Sequence, residues 1–108
     1  MDHKTNPRHM NKGYTYIVTN QLRTVLYIGV TSNLAGRILQ HKNDDGCDFT
    51  KKYHCRYLVY FEEFEKITEA IAREKQLKRW HREWKVNLIK STNPKLLDLS
   101  KEFWESEG

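Results

Sequence analysis

Five residues carry groups able to bind phosphate or metal or to move protons: Tyr16, Tyr27, Arg37, His41 and Glu74. Glu74 is the most telling. Ile67, Ala70, Ile71 and Leu77 make an apolar stripe at helical spacing, and Glu74 falls inside that stripe rather than behind it. A buried unpaired carboxylate is costly, so Glu74 must be paired, metal-bound or turned into a cleft. The simplest pairing is with Lys78, four residues on. Arg37 and His41 are also four apart, beside the apolar positions Leu34 and Ile38, so one helix presents a guanidinium and an imidazole side by side. The guanidinium is a planar fork suited to phosphate, and imidazole can move a proton near neutral pH. Alternatively, Arg37 faces solvent and His41 complements the helix dipole.

The elements that must position these groups follow from pattern. Tyr14 to Thr19 alternates and Val25 to Val30 is β-branched and aromatic, so with the polar Asn20 to Thr24 between them they predict an antiparallel hairpin. Tyr14, Tyr16 and Val18 share one face; Val25, Tyr27 and Gly29 share one face of the second strand. A suitable register makes Tyr16 and Tyr27 cross-strand neighbours. Gly29 inside a strand leaves room for a ligand or a close backbone. Ser32 and Asn33 can cap a helix running to Lys42, stopped by Asn43-Asp44-Asp45-Gly46. A polar loop to His54, a third strand over Arg56 to Phe61, and helices over Ile67 to Trp80 and Arg82 to Lys90 complete the body. Asn93-Pro94 ends the last of these. Lys95 to Trp104 is read as a short helix or turn laying Leu96, Leu97, Leu99, Phe103 and Trp104 on the body.

The composition suits one small folded domain. The chain has 108 residues, 38% hydrophobic and 12% aromatic, with two prolines and five glycines, which argues against disorder. Met1 to Lys12 is polar and lacks an apolar signal core, and no stretch approaches the ~20 apolar residues of a membrane span, so a soluble cytoplasmic protein is expected. The formal charge is +5, from 19 Lys and Arg against 14 Asp and Glu. It is concentrated in Met1 to Tyr57 and in Ala70 to Lys90; if the fold joins these segments they form a phosphate-binding footprint, and otherwise they are solvated faces. Cys47 and Cys55, with His54 nearby, fall short of a zinc site and are expected to be free thiols.

Taken together, Tyr14-Thr15-Tyr16, ten intervening residues, Tyr27-Ile28-Gly29, Arg37 eight beyond Gly29, His41 one turn later, and Glu74 within Ala72-Arg73-Glu74-Lys75-Gln76-Leu77-Lys78 resemble the GIY-YIG nuclease superfamily. The resemblance covers Lys12 to Asp98 and looks closest to small stand-alone bacterial members, similar to the nuclease domain of excision-repair endonucleases. It leaves residues 1–11 as a leader, 12–98 as the domain and 99–108 as an extension packing on it. Tyr14 replaces the leading glycine of the first motif and Thr15 its central aliphatic residue. Asn87, or more weakly Asn93, stands for the family's later asparagine.

The resemblance implies an α+β fold, a three-stranded antiparallel sheet flanked by helices. It also implies a divalent-metal-dependent endonuclease that hydrolyses DNA phosphodiester bonds, in DNA repair or processing. Tyr16, Tyr27, Arg37, His41 and Glu74 would be catalytic, with Tyr16 as base, Tyr27 as positioner, and Glu74 as ligand to Mg²⁺ or Mn²⁺. Gly29, Lys51, Lys52, Lys75, Lys78, Arg79 and Arg82 would line the nucleic acid, while Trp80 and Trp84 are expected to pack in the body rather than stack on bases. The alternative is a nucleic-acid-binding module on the same fold that is non-catalytic or needs a partner.

Overall fold

The computed structural model describes residues 12–104, apart from the side chain of Trp104. The leader 1–11, residues 105–108 and the expected packing of Trp104 lie outside the described residues. The elements are β1 (Gly13–Thr19), β2 (Leu26–Thr31), α1 (Leu34–Lys42), α2 (Asp48–Tyr53), β3 (Tyr57–Phe64), α3 (Ile67–Lys78), α4 (Arg82–Thr92) and α5 (Lys101–Trp104). The three strands form one antiparallel sheet in the order β2-β1-β3, flanked by helices, as expected.

β1 is central and has no solvent face: Thr15 to Thr19 are all buried. One side of the sheet places Tyr16 and Val18 with Leu34 and Ile38 of α1, Cys55 and Leu58. The other places Ile17, Ile28, Val59 and Tyr60 with Leu77 of α3 and Ile89 of α4. Two helical layers thus bury an alternating strand from both faces, each fully buried aliphatic side chain contributing about 1.5–3 kcal/mol.

The hairpin register differs from the expected pairing of the tyrosines. Tyr16 stands opposite Gly29 and Val18 opposite Tyr27, so the two phenols are diagonal neighbours on one face. The turn fixes this register. Asn20 Oδ1 accepts from Thr24 N at 2.8 Å and Val25 N at 3.0 Å, while Arg23 takes the left-handed conformation with φ 61°. The Tyr16 ring therefore lies over residue 29, where any Cβ would strike it.

β3 slips by one residue against β1 between Ile17 and Val18, leaving Val59 outside the paired register. Its carbonyl accepts from the buried Asn93 Nδ2 at 3.0 Å, which makes Asn93 a clamp between β3 and the end of α4. Asp98 ties the following segment down, accepting from Leu58 N at 3.2 Å and from Lys42 Nζ at 2.7 Å.

Other departures from the sequence reading are local. The segment expected as a polar loop contains α2, whose one buried residue, Thr50, caps it by accepting from Cys47 N at 3.2 Å. Six residues are too few for periodicity to reveal. β3 continues through Glu62 and Glu63, whose charges are met by Arg73 at 2.9 Å and by Lys12. Leu99 and Phe103 pack on the cluster holding Tyr16, and Leu96 on the opposite one, but Leu97 is exposed.

Gly29→Ala would force a methyl group into the buried Tyr16 ring, and the expected loss in urea denaturation is about 1–3 kcal/mol. In a Tyr16→Ala background the same change should cost much less, and equal costs in both backgrounds would refute the steric account.

Candidate active site

Tyr16 projects from the central strand into the α1 layer with 1% exposure, and its hydroxyl lies 2.9 Å from His41 Nε2. His41 arrives from the last turn of α1, which is held at both ends. Asn33 Oδ1 accepts from Gly36 N at 3.1 Å, Leu34 and Ile38 are buried, and Lys42 is bound to Asp98 and, at 2.8 Å, to Arg56 O. Gly46 lies against the imidazole, where a larger residue would strike Nδ1. That Nδ1 is buried and has no hydrogen-bond partner among the described residues.

Burial and the nearby Arg37 guanidinium lower the His41 pKa to about 4, so the ring is neutral at physiological pH. Burial raises the Tyr16 pKa well above the ordinary phenol value, with Arg37 opposing that rise. Tyr27 is half-buried. Burial first, then a hydrogen bond with the Cys47 thiol, pushes it up to about 12. Its ring meets His41 edge-on at 6.1 Å and stacks on Phe49 at 5.8 Å. The Cys47 thiol is opposed by burial, yet hydrogen bonds with Thr50 and Tyr27 hold it below the usual thiol range.

Arg37 is half-buried on α1 and acts electrostatically on Tyr16, Tyr27 and His41. Its guanidinium makes no hydrogen bond or ion pair with the described residues. Glu74 comes from α3, in the opposite layer, and its charge is felt by both Tyr16 and Tyr27. It forms the intrahelical pair anticipated with Lys78, Oε2 to Nζ at 2.9 Å. Thr15 secures the helix one turn earlier: its buried hydroxyl donates to Ala70 O at 2.7 Å. The hydroxyl that replaces an aliphatic group in the motif therefore binds the helix carrying the carboxylate.

All five residues thus converge on one region, and the remaining expected residues are spread over separate places. Lys51 and Lys52 are exposed on α2, beyond Phe49. Lys75 and Arg79 line a groove on the outer side of α3 with Gln76 and Trp80, while Arg82 donates to Arg23 O at 3.3 Å. Asn87 is exposed on α4 in a shallow groove with His81, Arg82 and Val86, and makes no hydrogen bond to any of the five. The room at Gly29 is filled from within by Tyr16. Trp80 packs partly into the core, as expected, but Trp84 does not: it is 51% exposed, with His81 against it at 5.0 Å. Sequence reasoning missed Cys47 and Phe49 as neighbours of Tyr27. No local spacing signalled that adjacency, because the six residues of α2 are too few to show a periodic face.

The arrangement combines two neutral phenols, a neutral imidazole, one cation unpartnered among the described residues and one carboxylate. It can hold an anion against Arg37 and pass a proton between Tyr16 and His41. Among the described residues there is no group of three or more His, Cys, Asp or Glu that could hold a metal, so a cation bound at Glu74 would depend on water and substrate for most of its ligands. No helix among the described residues is long and apolar enough to cross a membrane.

Comparison with known proteins agrees with this fold. The family model described as the GIY-YIG catalytic domain matches residues 12–87. A UPF0213 protein of Staphylococcus saprophyticus is 38% identical over 80 residues, covering 74% of this chain and 96% of that protein. One from Clostridium perfringens is 39% identical over 89 residues, covering 82% and 95%. One from Pediococcus pentosaceus is 31% identical over 87 residues, covering 81% and 92%. No solved structure matches the chain.

Because the folded state keeps His41 neutral down to about pH 4 while an unfolded histidine charges near pH 6.5, its contribution to stability is full above about 6.5 and gone below about 4. The stability difference between wild type and His41→Gln should therefore shrink by about 3 kcal/mol across that window in urea titrations. A difference independent of pH would refute the buried neutral imidazole.

Proposed function

Because the chain belongs to the GIY-YIG family, we propose that it is a divalent-metal-dependent endonuclease that hydrolyses DNA phosphodiester bonds, acting in DNA repair or processing. The observation that carries this reading is Arg37, a half-buried guanidinium with no carboxylate partner among the described residues, set beside two phenols and an imidazole and within the same field as Glu74. A phosphodiester supplies the anion that this cation lacks, in the planar two-oxygen form that arginine binds best.

Glu74 suits a hard cation as a single carboxylate ligand: its pairing with Lys78 engages Oε2, and Oε1 makes no hydrogen bond or ion pair among the described residues. When bound there, Mg²⁺ or Mn²⁺ would polarise the phosphoryl group and neutralise charge on the departing 3′ oxygen. Arg37 stabilises the charge that builds on the non-bridging oxygens. Tyr16 takes a proton from the attacking water as its own proton passes to His41 Nε2, across the 2.9 Å contact. Protonating an imidazole with a pKa of about 4 at pH 7 costs about 4 kcal/mol, small enough to be met within a catalysed barrier. Tyr27 keeps its proton and positions the water or the phosphate.

Supercoiled plasmid incubated with the purified protein and Mg²⁺ or Mn²⁺ should be nicked, and EDTA should abolish nicking. Arg37→Ala and Glu74→Ala should each reduce the rate by about 100-fold or more, and Tyr16→Phe should be impaired more severely than Tyr27→Phe. Wild type that nicks no better than Glu74→Ala on duplex, single-stranded and RNA substrates would sink the nuclease reading in favour of a binding module.

A further inference from the structure

A run of aromatic rings leads out of the site. Tyr27 lies 5.8 Å from Phe49 with ring planes 29° apart, and Phe49 lies 4.8 Å from Tyr53. The outer rings are more exposed than the inner one: Tyr27 is half-buried, whereas Phe49 is 43% and Tyr53 40% exposed. The outer two rings are not anchoring α2, since its one buried residue is Thr50. Lys51 and Lys52 stand exposed on the same short helix against one carboxylate, Asp48, and Lys52 Nζ lies 5.3 Å from the Tyr53 ring centroid. Phosphate binding alone would need only the lysines. Exposed rings continuous with Tyr27 and flanked by cations suit flat bases joined by anionic phosphates. Trp84, the other exposed large ring system among the described residues, contacts Trp80 and His81 and has no such continuity with Tyr27.

We propose that Phe49 and Tyr53 form a stacking subsite for an unstacked nucleobase of a single DNA strand, adjoining the phosphate held at Arg37, with Lys51 and Lys52 on the flanking phosphates. The subsite rests on the nuclease reading of the same centre and adds the form of DNA that enters it. Bases within intact duplex have both faces covered by their neighbours, so the rings accept a base only where the strand is single or its stacking is broken.

The test is equilibrium binding by fluorescence anisotropy, with the full chain in EDTA so that no turnover is needed. The probes are a labelled oligothymidylate of about twelve nucleotides and an abasic oligonucleotide of equal length and charge. Wild type should bind the oligothymidylate about tenfold or more tighter than the abasic strand, and Phe49→Ala with Tyr53→Ala should erase that preference. Phe49→Trp should keep it, and the new indole should be quenched on binding. Lys51→Ala with Lys52→Ala should weaken both probes alike and flatten the salt dependence. Equal affinity of wild type for the two probes, or no binding of either, overturns the subsite, and the first comparison needs no variant. A wild type that prefers bases but never nicks DNA overturns the nuclease reading instead and leaves the subsite standing.

Discussion

The burial of Tyr16 constrains everything around it. A phenol pointing from a central strand into a packed layer needs space across the sheet and a partner for its hydroxyl. Gly29 supplies the space, because the hairpin register brings it opposite Tyr16. His41 supplies the partner, which requires α1 to end where it does and Gly46 to follow without a side chain. Arg37, one turn before His41, is thereby brought beside the phenol. Register, helix length and loop composition are thus several consequences of one buried hydroxyl.

Three long-range polar contacts then fix the layers against the sheet. Thr15 holds α3 at Ala70, Asn93 holds the end of α4 to the carbonyl left by the slip in β3, and Asp98 joins α1 to β3 through Lys42 and Leu58. Burial hinders the ionisation of Asp98, but Lys42 and Ser100 outweigh it and keep its carboxyl below the ordinary range. Each contact satisfies a buried group that would otherwise destabilise the fold, and each steadies a helix bearing a site residue or its immediate support.

Most of the fold could be read from the chain because its long elements are strongly periodic. The apolar stripe of α3, with Glu74 inside it, is legible in the chain, as is the i,i+4 spacing of Arg37 and His41. What was not legible depended on contacts across the fold. The diagonal placement of Tyr16 and Tyr27 is set by an asparagine-capped turn, not by alternation, and the extra length of β3 by Arg73 and Lys12 neutralising its glutamates. α2 is one short turn of helix whose hydrophobic residues mostly face outward, so neither its existence nor its adjacency to Tyr27 left a pattern.

The electrostatic state of the site also follows from burial. The layer that encloses Tyr16 and His41 holds both neutral, while the half-buried Arg37 keeps its charge because guanidinium cannot be deprotonated in proteins. The result is a fixed positive charge beside neutral groups, with Glu74 paired to Lys78. In such a setting Arg37 attracts an anion more strongly than it would in water, because little surrounding charge or solvent screens it. The proposed proton relay rests on the same burial, since a neutral phenol and a neutral imidazole 2.9 Å apart have few competing partners. Burial therefore both raises the cost of ionising Tyr16 and supplies the acceptor that makes its proton transferable.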